Sequence, residues 1–328
     1  MSKPAIAIAR AIFPQVIERL QTCFDVTSNQ HDKLMSGPEL VAFARGKTGL
    51  LCTGSERIDA ALLAACPALR ICANMAVGYN NFDLDAMKAA RVLATNTPDV
   101  LTETTADFGF ALLMAAARRI TESEHFLRAG QWSRWSYDMF AGQDLHGSLL
   151  GIIGMGRIGQ GIARRGALGF GMRVVYHNRS RLDPAIEAAC QAQYVSKQDL
   201  LQSADHVVLV VPYSAASHHT IGAAELAMMK PTAVLVNIAR GGIVDDAALA
   251  LALRERRIAA AGLDVFEGEP QVHPDLLALS NVVLTPHIAS ASVPTRLAMA
   301  NLAADNLIDF LIHGRARTAL NAQALGIA

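Results

Sequence analysis

Short apolar runs alternate along this chain with segments whose apolar residues recur every three or four positions. AIAIA (5–9) is the first run, and PQVIERLQ after it places Val16, Ile17 and Leu20 at helical spacing. TGLLCT (48–53) predicts a strand, and SERIDAALLAA (55–65) a helix with Ser55 as its N-cap. LRICANM (69–75) and VLATN (92–96) predict strands on either side of a helix, FDLDAMKAA (82–90). Strands alternating with helices of about ten residues need right-handed crossovers, so the segment predicts an α/β domain on a parallel sheet.

Thr97-Pro98 interrupts the pattern, and a helical pattern then runs over 102–128. GQWSRWSYDMFAGQDLHG (130–147) follows and holds both tryptophans. It is too polar and glycine-broken for a core element, which predicts a surface arm or part of an interface. A second alternation begins at 148. Its predicted strands are GSLLGIIG, MRVVYHN (172–178), HVVLVV (206–211), AVLVNIA (233–239), AAAGLDV (259–265) and NVVLTPH (281–287). Its predicted helices are GRIGQGIARRGALG, SKQDLLQSA (196–204), AAELAMMK (223–230) and DDAALALALRER (245–256), together a doubly wound sheet. A last helix over 293–313 starts after both sheets are complete and is available to return to the first domain.

Composition narrows the function classes. The 328 residues are 52% hydrophobic and 18% charged, enough for two buried cores. With 29 basic and 29 acidic residues the formal net charge is zero, which argues against a general binder of nucleic acid or anionic membrane. No apolar run approaches the roughly 18 residues of a membrane span. MSKPAIAIAR has only six uncharged residues between Lys3 and Arg10, too few for a signal-peptide core. The five cysteines form no CxxC pair, which predicts free thiols in a reducing cytoplasm.

SLLGIIGMGRIGQG (148–161) concentrates the chemistry. Gly154-Met155-Gly156-Arg157-Ile158-Gly159 follows a strand and opens a helix, the context in which GxGxxG holds a dinucleotide. Gly154 permits the tight turn, Gly156 lets the backbone approach a pyrophosphate, and Gly159 lets helix and strand pack. The helix start offers free N–H groups and partial positive charge to the phosphate. NAD-binding chains usually carry an acid at the end of the second strand, to bind the ribose 2′-hydroxyl. Here Tyr176-His177-Asn178-Arg179-Ser180-Arg181 contains none. Arginine pairs with a 2′-phosphate and serine donates to it, so Asn178, Arg179 and Ser180 point to NADP, with NADPH preferred over NADH.

Three later segments place one candidate group each just beyond a strand: Arg240 in NIARGG, Glu269 in GLDVFEGEP and His287 in LTPHIAS. Loops at the carboxyl edge of one sheet converge where α/β proteins bind ligands. Reduction of a 2-keto acid needs a hydride and a proton. His287 can give the proton, Glu269 can orient and charge the imidazole, and Arg240 presents a planar fork to the substrate carboxylate. His218-His219 has no partner at ligand spacing and reads as a solvated loop, so no metal is expected.

The ordered pattern GMGRIG…NIARGGIVDD…AGLDVFEGEP…LTPHIAS resembles the D-isomer-specific 2-hydroxyacid dehydrogenases over essentially the whole chain. That resemblance implies two Rossmann-like doubly wound parallel-sheet domains with the active site in the cleft between them. The implied division is a flavodoxin-like substrate domain of residues 1–98 plus 289–328, and an NADP-binding Rossmann domain of residues 99–288. It implies catalytic roles for Arg240, Glu269 and His287. In NMAVGYNNFD (74–83) it implies that Val77 and Gly78 hold the substrate carboxylate through their backbone N–H groups. It also implies cofactor contacts from Thr105, Val211, Pro212 and Asp264, and a homodimer.

AVGYNNFD, YHNRS and the GQWSRW arm are most similar to glyoxylate/hydroxypyruvate reductases and 2-ketogluconate reductases. In the former a tryptophan of the arm reaches the partner's active site; Trp132 and Trp135 are both candidates, with Trp135 preferred. The alternatives are 2-ketogluconate as substrate, with pocket size resting on Met75, Tyr79, Met139 and Phe140, and a dinucleotide-responsive scaffold of the C-terminal-binding-protein kind. Formate dehydrogenases of this fold carry Gln where Glu269 stands, so Glu269 favours proton chemistry.

Overall fold

The computed structural model describes residues 3–327, and in it the chain divides into two compact units. One runs up to Leu101 and resumes at Ala291, and the other is Thr102–Ser290. The boundaries thus fall a little later than the 98/99 and 288/289 expected from the sequence.

The first unit carries five parallel strands, β1 (Ala5–Ile8), β2 (Asp25–Ser28), β3 (Gly49–Cys52), β4 (Ile71–Asn74) and β5 (Leu93–Thr95), in the order β2-β1-β3-β4-β5. The inner strands β3 and β4 are buried at every position, so they read as unbroken apolar runs. Edge strand β2 (DVTS) is only partly buried, and its polar sequence predicted no strand. The helix expected over 55–65 is shorter, Ala60–Ala65, and Asp59 rather than Ser55 caps it by accepting the N–H of Leu62 at 3.1 Å. Ile58, ahead of the cap, instead forms a bridge to Phe82.

One face of this sheet is covered by the helix Val293–His313, through Ala300, Ala303, Ala304 and Leu307, all buried against Ile6, Ile8, Leu51 and Ile71. The return expected of this helix is therefore observed. Its small residues admit close approach to the strands, and Ser292 caps it by accepting the N–H of Thr295. Asn321 then pins edge strand β5, accepting the N–H of Ala94 at 2.9 Å and donating to the Val92 carbonyl at 3.0 Å.

The second unit carries seven parallel strands, β6 (Leu149–Ile153), β7 (Arg173–His177), β8 (Ala192–Tyr194), β9 (His206–Leu209), β10 (Val234–Asn237), β11 (Ala260–Leu263) and β12 (Val282–Leu284). Their order is β12-β11-β10-β9-β6-β7-β8. The order reverses between β6 and β9, so the loops after these two strands flank the switch point at which open α/β sheets bind ligands. The single helix expected over 102–128 is two, Thr102–Ala117 and Ile120–Arg128, separated at Arg119 in the left-handed region (φ 53°). Two apolar clusters fill the two faces of this sheet, one around Leu209, Leu235 and Leu263, the other around Ile152, Val208 and Val236.

Candidate active site

At the switch point, Ile153 ends β6 and Gly154 turns the chain with φ 101°. A side chain there would put Cβ 2.6 Å from the Val210 carbonyl carbon, so both conformation and space require glycine. Gly159 sits one turn into the helix Arg157–Arg164, where a Cβ would meet the Gly154 oxygen at 2.5 Å. No side chain caps this helix at Gly156, and nothing lies within 4 Å of where a Gly156 Cβ would stand. The helix start therefore presents backbone N–H groups, including that of Ile158, toward open space. Met155 is buried and its N–H donates to Asn178 Oδ1 at 2.7 Å, so Asn178 ties the glycine turn to the end of β7. Thr105 is buried, and its Oγ1 has no hydrogen-bond partner among the described residues. The open space at Gly156 and the orphaned buried hydroxyl of Thr105 both fit a bound dinucleotide. Val211 and the exposed Pro212 follow β9 on the other side of the switch point.

Beyond β7, Arg179 and Ser180 are exposed and make no hydrogen bond or ion pair among the described residues. Arg181 differs. It grips Glu187 with two bonds, Nε to Oε1 at 2.9 Å and Nη2 to Oε2 at 2.8 Å. The buried Tyr176 hydroxyl donates to the same carboxylate at 2.7 Å. The Arg181 guanidinium first, and the Tyr176 hydroxyl second, hold the Glu187 carboxyl down at about 2. Of the two arginines in this loop, only Arg179 is uncommitted.

The three groups expected to act together lie in the loops after the neighbouring strands β10, β11 and β12, at one sheet edge. Asn237 closes the turn after β10, its Oδ1 accepting the Ala239 N–H at 3.0 Å and its Nδ2 donating to the Arg240 carbonyl at 3.1 Å. Arg240 Nη1 donates to the Ala239 carbonyl at 2.8 Å. Burial pushes the Arg240 guanidinium pKa down, while the Glu269 charge opposes the shift. Gly241 makes room for the next loop, since a Cβ there would lie 1.7 Å from the Phe266 carbonyl oxygen.

Glu269 Oε1 accepts the Phe266 N–H at 2.9 Å, and Oε2 lies 2.8 Å from His287 Nδ1. Burial pushes the Glu269 carboxyl up, but the His287 bond and charge, the Phe266 N–H and the Arg240 charge together bring it below the ordinary value. His287 has φ 54°, a conformation worth about 1–3 kcal/mol of strain in a residue with a side chain. Its Nε2 makes no hydrogen bond among the described residues, and the side chain is 46% accessible. The pair thus presents one imidazole nitrogen outward while the carboxylate holds the other.

Asp264 is fully buried between these elements, and sequence reasoning missed its local task. Its Oδ1 accepts from the Thr285 hydroxyl at 2.7 Å and the Ile288 N–H at 2.8 Å, and its Oδ2 from the Ala289 N–H at 2.9 Å. The available signal was an acid ending an apolar strand, where a buried carboxylate needs several donors.

In the first unit, the turn after β4 is held by its carbonyls. Asn74 Nδ2 donates to the Gly78 oxygen at 2.9 Å, Asn96 Nδ2 to Val77 at 2.9 Å, and the Thr97 N–H to Ala76 at 3.0 Å. The N–H groups of Val77 and Gly78 make no bond among the described residues, an arrangement suited to an anion. In the second unit, the arm 130–147 leaves Trp132 56%, Trp135 74% and Tyr137 93% exposed. Its base is anchored where Gln143 donates to the Ala117 carbonyl at 2.8 Å.

Residues 110–289 match the family model for the D-isomer specific 2-hydroxyacid dehydrogenase NAD binding domain. The chain is 46% identical over 329 residues to the glyoxylate reductase of Thermococcus onnurineus, spanning 99% of this chain and 98% of that one. It is 47% identical over 318 residues to the glyoxylate reductase of Aeropyrum pernix, with 94% and 93% covered. Among solved structures, the NADPH-dependent glyoxylate/hydroxypyruvate reductase of Sinorhizobium meliloti in complex with NADP and malonate matches with a TM-score of 0.85. That match has 37% identity and covers 97% of each chain.

Proposed function

This chain belongs to the D-isomer-specific 2-hydroxyacid dehydrogenase family, and on that premise we propose that it reduces the small 2-keto acids glyoxylate and hydroxypyruvate with NADPH. The observation that carries the reading is the Glu269–His287 pair at 2.8 Å, one strand away from the loop of Arg240. A reduced nicotinamide, when bound, supplies the hydride. His287 Nε2 delivers a proton to the carbonyl oxygen as it becomes an alkoxide, while Glu269 accepts from Nδ1 and fixes the orientation of the ring. Arg240, charged at all working pH, pairs with the substrate carboxylate and orients the carbonyl. In the first unit, the N–H groups of Val77 and Gly78, which make no bond among the described residues, are donors suited to a carboxylate.

Gly154 to Gly159, Thr105, Val211 and Pro212 form the dinucleotide cradle. Asp264 serves the nicotinamide end through the loop that it braces. Arg179 and Ser180 take the 2′-phosphate, with Asn178 fixing the turn beside them, so NADPH is the preferred donor. In a homodimer, the exposed Trp135 of the arm reaches the active site of the second copy, and the five free cysteines accord with a cytoplasmic enzyme. No helix among the described residues is long and apolar enough to cross a membrane.

The test is oxidation of NADPH and of NADH with glyoxylate, hydroxypyruvate and 2-ketogluconate in parallel. Fast NADPH oxidation with the two small acids is expected. A marked preference for 2-ketogluconate keeps the chemistry and moves the substrate. Tight dinucleotide binding without turnover of any acid overturns the reading in favour of a scaffold.

A further inference from the structure

The histidine pair after β9 has a partner that sequence spacing did not disclose. His218 Nε2 lies 3.9 Å from Glu267 Oε1, and His219 Nε2 lies 2.9 Å from Glu267 Oε2. The two imidazole rings are stacked, with centroids 3.8 Å apart. Among the described residues, ligand atoms from these three side chains lie within 4.8 Å of one another. From this convergence we propose that His218, His219 and Glu267 form a binding site for a divalent transition metal of the zinc type.

Three features favour a metal over a plain surface ion pair. The first is the donor set. Two imidazoles and one carboxylate suit zinc and its neighbours and leave a fourth position for water. The second is the outer face of each ring. Tyr213 Oη lies 3.2 Å from His218 Nδ1, and Asp245 Oδ2 lies 4.0 Å from His219 Nδ1. Tyr213 is within hydrogen-bond reach of His218 Nδ1, Asp245 is a neighbouring charge beyond that reach at His219, and both Nε2 atoms face the same carboxylate. An oxygen that accepts from Nδ1–H fixes the tautomer whose Nε2 lone pair can bind a metal.

The third feature is backbone support. His219 adopts φ 49°, and its N–H donates to the Gly242 carbonyl at 2.7 Å. The Glu267 N–H donates to Asp246 Oδ2 at 3.0 Å. The three ligands are therefore set on backbone that is already tied down, and they remain accessible, with side chains 40%, 35% and 45% exposed. A bound ion would bridge the loop after β9 to the loop after β11, two residues ahead of Glu269.

The test is titration of the metal-free full chain with Zn²⁺ in competition with a chromogenic chelator, and with Co²⁺ followed by its visible absorption. One equivalent should bind, with the intense Co²⁺ band of four-coordinate geometry, and saturating Zn²⁺ should raise Tm by about 3 °C or more. Mg²⁺ should do neither. His218→Ala and Glu267→Gln should abolish the stoichiometric phase. Tyr213→Phe should weaken it about tenfold, the scale of an outer-sphere loss. Tyr213 is 38% exposed, so its substitution separates metal affinity from folding. Undiminished binding in His218→Ala and Glu267→Gln, or an equal response to Mg²⁺, would overturn the proposal.

Discussion

Asp264 holds His287 from the main chain: its carbonyl accepts the His287 N–H at 2.9 Å, while its carboxylate takes the N–H groups of the next two residues. The strained backbone at His287 persists because this buried acid fixes it from both sides. The orientation of the imidazole is therefore decided by two carboxyl groups, Glu269 at the ring and Asp264 at the backbone.

Asp264→Ala leaves two N–H groups and the Thr285 hydroxyl without their acceptor. Each unpaired buried donor costs about 1–3 kcal/mol, so a fall in Tm should accompany a fall in kcat. Thermal denaturation and steady-state kinetics check it, and a variant with the parental Tm and kcat refutes the bracing role.

His287→Ala should lower kcat by about 10²–10⁴-fold, the span of a lost general acid. NADPH binding, measured by fluorescence, should stay within about twofold. A variant that keeps most of its kcat removes His287 from the mechanism.

The lowered Glu269 pKa makes stability depend on pH. A carboxyl depressed in the folded state contributes fully above its unfolded value, about 4.3, and loses that contribution as pH falls through the native value below it. The Tm difference between the parent and Glu269→Gln should shrink as pH drops below about 4. A difference that does not change with acidity would show that the paired charge is not its source.

Arg179→Ala should weaken NADPH about tenfold or more, the scale of a lost charge-assisted bond, and leave NADH nearly unchanged. Arg181→Ala should instead act through stability, because Arg181 is spent on Glu187. Equal loss of both cofactors on removing Arg179 would refute a 2′-phosphate contact.

Gly241→Ala forces a methyl into the space of the Phe266 carbonyl, at 1.7 Å. The loop carrying Glu269 must move, so kcat should fall at least about tenfold while dinucleotide binding persists, since the glycine turn lies after a different strand. Parental kcat in this variant would mean that the loop gives way without consequence.

The apolar runs announced the inner strands because a doubly covered parallel sheet leaves them no polar face. Edge strand β2 and short β8 escaped notice because they are partly wet and carry few apolar residues. Arg119 split a long helical pattern through a left-handed backbone that no residue type announces. At the site, GMGRIG, Arg240, Glu269 and His287 were legible because each stands in fixed position beyond a strand. The commitment of Arg181 to Glu187, the clearance needed at Gly241 and the meeting of Glu267 with the histidines were not. Each depends on two segments brought together only by the fold.

One unit interrupts the other, and this sets an order on synthesis. The strands of the first sheet are complete at Thr95, but the helix that covers one face, Val293–His313, is made only after the whole of the second unit. As the chain emerges, the later unit holds all it needs to close its own core. The earlier one waits with a bare apolar face around Ile6, Leu51 and Ile71, and is the part of the nascent chain most in need of a chaperone.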